Sequence, residues 1–144
     1  MSLLRCAAIA GLAIGALVLT APAAQSAPPG DAMIRSINSV RAAHGLRPVR
    51  ADPALTRGAM SHSHSMLAHG YFAHARRLHA ATFRSIGEII EWHTGGARVR
   101  VATQMWLNSP PHRALMLAAG FRYAGAGWAT GARRTFWTVR FGSR

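Results

Sequence analysis

Lysine is absent from this chain: all 17 basic residues are arginine. Acids are nearly as scarce, with 4 Asp and Glu among 144 residues, so the formal net charge is +13 at pH 7. A uniform preference for Arg reflects a GC-rich coding background better than a selected chemistry, and charge alone names no partner. There is a single cysteine, Cys6, which excludes an intramolecular disulfide framework and a paired-cysteine zinc site. It stands ahead of the apolar run, whereas a lipid-attachment cysteine would follow one. No HExxH, GxSxG or glycine-rich phosphate loop occurs, which removes the common zinc-protease, serine-hydrolase and nucleotide-binding signals. Charged residues make up 15% of the chain against 50% hydrophobic, so a packed core is expected rather than a disordered basic tail.

The N-terminus carries Arg5, an apolar run from Ala7 to Leu19 and a small-residue stretch from Ala21 to Ala27. A basic start, an apolar centre and an alanine-rich exit describe a secretory signal peptide over 1–27. Pro22 interrupts the run before the roughly 20 apolar residues that a membrane span requires. Cleavage can follow Ala23, Ala24, Ser26 or Ala27, with Ala27 favoured. The expected product is secreted and extracellular, with a linker at 28–32 and one domain at 33–144. It lacks thiols, so apolar packing must hold it together.

Downstream, Asp31 is placed to cap a helix with apolar positions Met33, Ile34, Ile37 and Val40 and a stop near Gly45. Asp52-Pro53 starts a second helix running to His69 before Gly70, in which Leu55, Ala59, His62, Met66 and His69 share a face. From Gly70 we expect a long loop leading to a short strand over Ile86–Trp92. A third helix spans about Ala97–Asn108, and Ser109-Pro110 opens a fourth that reaches Ala118. The β-favouring runs Arg122–Ala129 and Arg134–Phe141, joined at Thr130-Gly131, predict a hairpin. Helices followed by strands point to an α+β fold, an antiparallel sheet covered by helices.

Of 8 histidines, five lie between His62 and His79. His62 and His69 read most simply as hydrogen-bonded rings on the inner edge of a helix, His64 and His79 as solvated. Both aspartates are assigned to helix caps, so a carboxylate facing a cavity must be Glu88 or Glu91. His112 sits in the first turn of the fourth helix, where the positive end of the macrodipole favours a neutral imidazole able to bind a metal or accept a proton. The alternative is a His112 bonded to a backbone carbonyl, with Arg113 paired to Glu88 or Glu91.

The blocks Ile37–Arg41, Leu46–Val49, Tyr71-Phe72-Ala73-His74, Gly87-Glu88, Trp106–Arg113 and Gly125-Ala126-Gly127 occur in an order that resembles the CAP superfamily, the group of cysteine-rich secretory proteins, antigen 5 and pathogenesis-related proteins. The likeness is to its short bacterial SCP-like branch and spans about Ile34 to Phe141. It implies an α-β-α sandwich whose cavity is lined by two histidines and two acids, a set that binds zinc in some members. By motif these are His74, Glu88 and His112, while the second acid's place, three residues after Trp106, holds Ser109. The family's Asn after the Glu is replaced by Ile89.

Two imidazoles and one carboxylate can hold zinc with an open fourth position, so zinc on His74, His112 and Glu88 is the candidate cofactor and none is certain. Ser109 supplies no replacement charge. With no nucleophile beside a base in the pattern, a secreted binding module for an apolar, lipid or cell-envelope ligand is expected, with cavity residues His74, Glu88, His112 and Ser109. The alternative is a metal-dependent hydrolase using His74, Glu88 and His112. The arginine surplus, exemplified by Arg76, Arg77, Arg133 and Arg134, attracts anionic polymers. A monomer is expected, and no nucleic-acid partner.

Overall fold

A computed structural model describes residues 27–144. The expected leader therefore lies outside the described residues, apart from Ala27. Eight elements follow in the order α1 (Pro29–Ala43), β1 (Arg50–Ala51), α2 (Pro53–His69), β2 (Ser85–Thr94), α3 (Val99–Leu107), α4 (Pro110–Met116), β3 (Tyr123–Thr130) and β4 (Arg134–Ser143). No described helix is long and apolar enough to cross a membrane.

The first helix starts earlier than expected. Pro29 occupies its first position, where the missing amide costs nothing, and Pro28 is the cap residue, so Asp31 lies within the first turn instead of capping it. The expected linker over 28–32 is thus almost entirely helical. Helix α2 follows its sequence signals: the Asp52 carboxylate accepts from the amides of Ala54 and Leu55, and Gly70 closes the helix at φ 66°. Its buried face carries Leu55, Ala59, His62, Ser63 and Met66. His69 is not on that face; it is exposed and bonds back to the Ser65 carbonyl. Ser109 precedes α4 with no side-chain capping bond.

The sheet runs β1-β3-β4-β2. The β3–β4 hairpin and the long β2–β4 pair are antiparallel, but β1 joins β3 in parallel through Arg50↔Tyr123. That two-residue edge makes the sheet mixed rather than wholly antiparallel. Helix α2 covers one face. Gly125 and Gly127 of β3 lie directly under it, where a Cβ would collide with the helix backbone at Leu55–Thr56 and Ala59–Met60. These glycines are required by close approach rather than by a turn. Alternating with them along β3, Ala124 and Ala126 point to the opposite face, into a core with Met33 and Ile37 of α1, Ala102 and Trp106 of α3, and Trp137, Val139 and Phe141 of β4. The result is an α-β-α sandwich.

Arg41 is completely buried and has no acidic partner among the described residues. Its guanidinium donates to the carbonyls of Arg47, Met116, Ala118 and Phe121 at 2.8–3.2 Å. The Met116 carbonyl ends α4 and that of Ala118 lies two residues beyond, so Arg41 ties α1 to the element that carries His112. Burial lowers its pKa, with the charge of nearby Arg122 adding to the effect.

Candidate functional site

Glu88 and Arg140 occupy paired positions on β2 and β4 and share a face of the sheet. The Arg140 Nε–H donates to Glu88 Oε2 at 3.0 Å, and this carboxylate is almost wholly buried. Its other oxygen receives the Ala75 amide at 2.9 Å and the His74 Nδ1–H at 3.1 Å. His62, projecting from α2, donates Nε2–H to the Ala73 carbonyl at 2.9 Å and lies 3.8 Å from the same carboxylate oxygen. The 71–76 loop is thus pinned to the sheet by Glu88 and to α2 by His62. His62 is a hydrogen-bonded inner ring, as its helix position indicates, and a member of this cluster besides.

His74 is exposed, and its ring lies 6.2 Å from that of His112, centroid to centroid. The scattered residues His74, Glu88 and His112 are therefore brought to one place, but with unequal roles. His112 and Ser109 line a groove of about 550 Å³, whereas His74 lines an adjoining pocket with His62, Tyr71 and Arg76. Glu88 lines neither and acts as a strut beneath them. Arg113 pairs with neither glutamate; its guanidinium approaches His44 at 3.4 Å. The pKa of His112 is lowered. The leading cause is burial, followed by the charge of His74.

This donor set does not fit zinc. Both Glu88 oxygens are occupied by protein donors, and Arg140 already supplies the compensating positive charge. Among the described residues no group of three or more His, Cys, Asp or Glu is placed to hold a metal ion. Register delivers Arg140 to the carboxylate, so Glu88 anchors His74 and Ala75 in this structure instead of standing free as a metal ligand.

The groove runs along the free edge of β2, between the 71–76 loop and helices α3 and α4. Its walls include Phe72, Ile90, Trp92, Met105 and Trp106, and Trp106 Nε1–H donates to the Ile90 carbonyl at 3.0 Å, satisfying an edge acceptor. Phe72, Trp92 and Met105 remain 48%, 37% and 45% exposed.

On the polar side of the groove lie Glu91 and His93, a pair the sequence reading missed in the case of His93. Their side chains are two residues apart on β2 and so share a face. That spacing in a strand was the available signal. The His93 Nε2–H donates to the Gly96 carbonyl at 2.9 Å, which leaves Nδ1 facing Glu91 Oε1 at 2.8 Å. A single proton serves that short contact. Burial raises the Glu91 pKa, opposed by the hydrogen bond and charge of His93 and by the charge of Arg98. Glu91 Oε2 and Trp137 Nε1, on paired positions across β2 and β4, lack partners among the described residues.

A helix-covered sheet, with a histidine–carboxylate cluster beside an apolar edge groove, defines an α-β-α sandwich domain of the SCP class. Residues 34–141 match the cysteine-rich secretory protein (CAP) family, and the chain belongs to that family. The chain is 26% identical over 119 residues to the uncharacterized protein YkwD of Bacillus subtilis, covering 76% of this chain and 45% of the relative. An extracellular SCP-domain protein of Bacillus anthracis superposes with a TM-score of 0.66 at 25% identity, over 81% of this chain and 40% of that one. The chain thus spans less than half the length of these two relatives. An outer surface protein of Borrelia burgdorferi shares the fold with a TM-score of 0.69 at 18% identity, over 79% and 91% of the two chains.

Proposed function

We propose that this CAP domain is exported and binds an apolar ligand of the cell envelope in the groove beside β2. One observation carries the reading. Tyr71, Phe72, Trp92 and Met105 are the exposed large hydrophobic residues among those described, and the last three line this single groove. Clustered apolar exposure of this kind marks a contact surface. Export is supported by the leader pattern over 1–27 and by relatives described as extracellular or outer-surface proteins.

Trp92 and Trp106 lie in the groove walls, so their fluorescence reports occupancy. Titration with long-chain lipids and wall-lipid fragments should shift the emission, and Phe72→Ser with Met105→Ser should weaken binding about tenfold or more. Both positions are exposed, so the fold should survive. If no apolar class changes either the emission or the melting temperature, the reading fails.

A further inference from the structure

Far from the groove, Arg50, Arg122 and Arg144 converge with Tyr123 and Pro48 on a concavity of about 250 Å³. It is built at the opposite edge of the sheet, because β1 borders β3 while the groove borders β2. It also sits at the opposite end: Tyr123 pairs with Gly142, whereas the groove residues of β2 pair toward Arg134.

The sheet sets the backbone positions from which two of the arginines project: the Arg50 amide donates to the Arg122 carbonyl at 2.9 Å, and the Arg122 amide donates to the Gly142 carbonyl. The Arg144 guanidinium lies 4.3 Å from the Tyr123 ring centroid and 5.0 Å from that of Phe83, with one nitrogen on Asp52 Oδ2 at 2.9 Å. Stacking and an end-on carboxylate restrict that side chain before any ligand arrives.

Charge at the site is unbalanced. Asp52 is the acid present, and its other oxygen is spent capping α2. The ion pairs of arginine with acid among the described residues are Arg140–Glu88 and Arg144–Asp52, leaving Arg50 and Arg122 without an acidic neighbour within reach. Arg41 adds a further positive charge close to Arg122, buried and bonded to neutral carbonyls alone. A planar, multidentate donor array with surplus positive charge matches a tetrahedral oxyanion, whose oxygens accept several N–H bonds at once.

We propose that Arg50, Arg122 and Arg144 form a phosphate-binding site that anchors the domain on a phosphate-bearing ligand while the groove faces away from it. The site stands independently of the groove reading, and differs from the Arg76-Arg77 and Arg133-Arg134 pairs that the sequence suggested.

Inorganic pyrophosphate is the probe, titrated calorimetrically into the full chain at constant ionic strength. Arg50→Gln combined with Arg122→Gln should weaken binding at least about tenfold. Arg35→Gln combined with Arg100→Gln removes the same charge at exposed helix positions that line neither concavity and should change it less than about twofold. Equal losses in the two double variants, or no binding by the unaltered protein, would overturn the site. The same variants are then tested on phosphatidylglycerol vesicles. Parallel loss assigns the phosphate to a membrane lipid, and retained vesicle binding assigns it to a soluble phosphate compound.

Discussion

Replacing Glu88 by leucine should be among the most destabilising changes at the site. Three donors lose their acceptor at once: the Ala75 amide, His74 Nδ1–H and Arg140 Nε–H, all within 3.1 Å. Removing one member of a buried pair costs about 3–5 kcal/mol, chiefly because the surviving charge stays desolvated. The Arg140 side chain keeps 12% of its exposure and His74 keeps 53%, so water can reclaim part of both. The lower end, about 3 kcal/mol, is therefore the expected loss. Glu88→Gln keeps one acceptor for the Ala75 amide but turns neutral toward Arg140, which should cost about 1–2 kcal/mol. Urea unfolding at pH 7 measures both, read as a shift in midpoint with an unchanged slope. Hydrogen exchange at Ala75 gives a local readout, since its protection should fall with the leucine variant. Adding Arg140→Gln to Glu88→Gln should cost less than the two single losses together, because the partners act as a unit. If Glu88→Leu costs under about 1 kcal/mol and Ala75 stays protected, the carboxylate does not hold the loop and the strut argument collapses.

Arg41→Met should lose about 3 kcal/mol or more by stranding four carbonyls, and Arg41→Lys should rescue little because one ammonium cannot span them; denaturant midpoints decide it. Acid should expose His112. Its folded pKa lies below the ordinary 6.5, so below that pH the unfolded chain binds a proton that the folded domain resists. Stability should fall as pH drops from 6.5 toward the lowered value, and His112→Gln should flatten this part of the pH–stability curve. Glu91, with its pKa raised above 4.5, acts in the opposite sense: its contribution is full below 4.5 and is lost as pH rises through the raised value. Glu91→Gln should lessen the decline on that alkaline side.

Much of the fold was legible because local chemistry fixed it. Asp52-Pro53 and Gly70 bound α2 through amide capping and a left-handed stop, and neither needs a tertiary partner. The hairpin and the strand containing Glu88 were readable from β-favouring runs. Strand β1 was not, since two residues carry no periodicity and acquire meaning only when β3 lies alongside. Asp31 looked like a cap, but Pro28-Pro29 set the helix one turn earlier.

The sequence by itself determined which side chains were available for chemistry: very few acids, several histidines in one stretch, and an ordered set of family blocks with Ser109 in an acid's place. Tertiary structure decided what those groups became. Cross-strand register put Arg140 on Glu88 and converted an expected metal ligand into a loop anchor, while strand geometry turned Glu91 and His93 into a buried pair. The free edge of β2 gathered Phe72, Trp92 and Met105 from three separate segments into one groove. The physical reason is one of range: capping and helix periodicity act over a few residues, whereas register, burial and charge pairing depend on groups far apart in the chain.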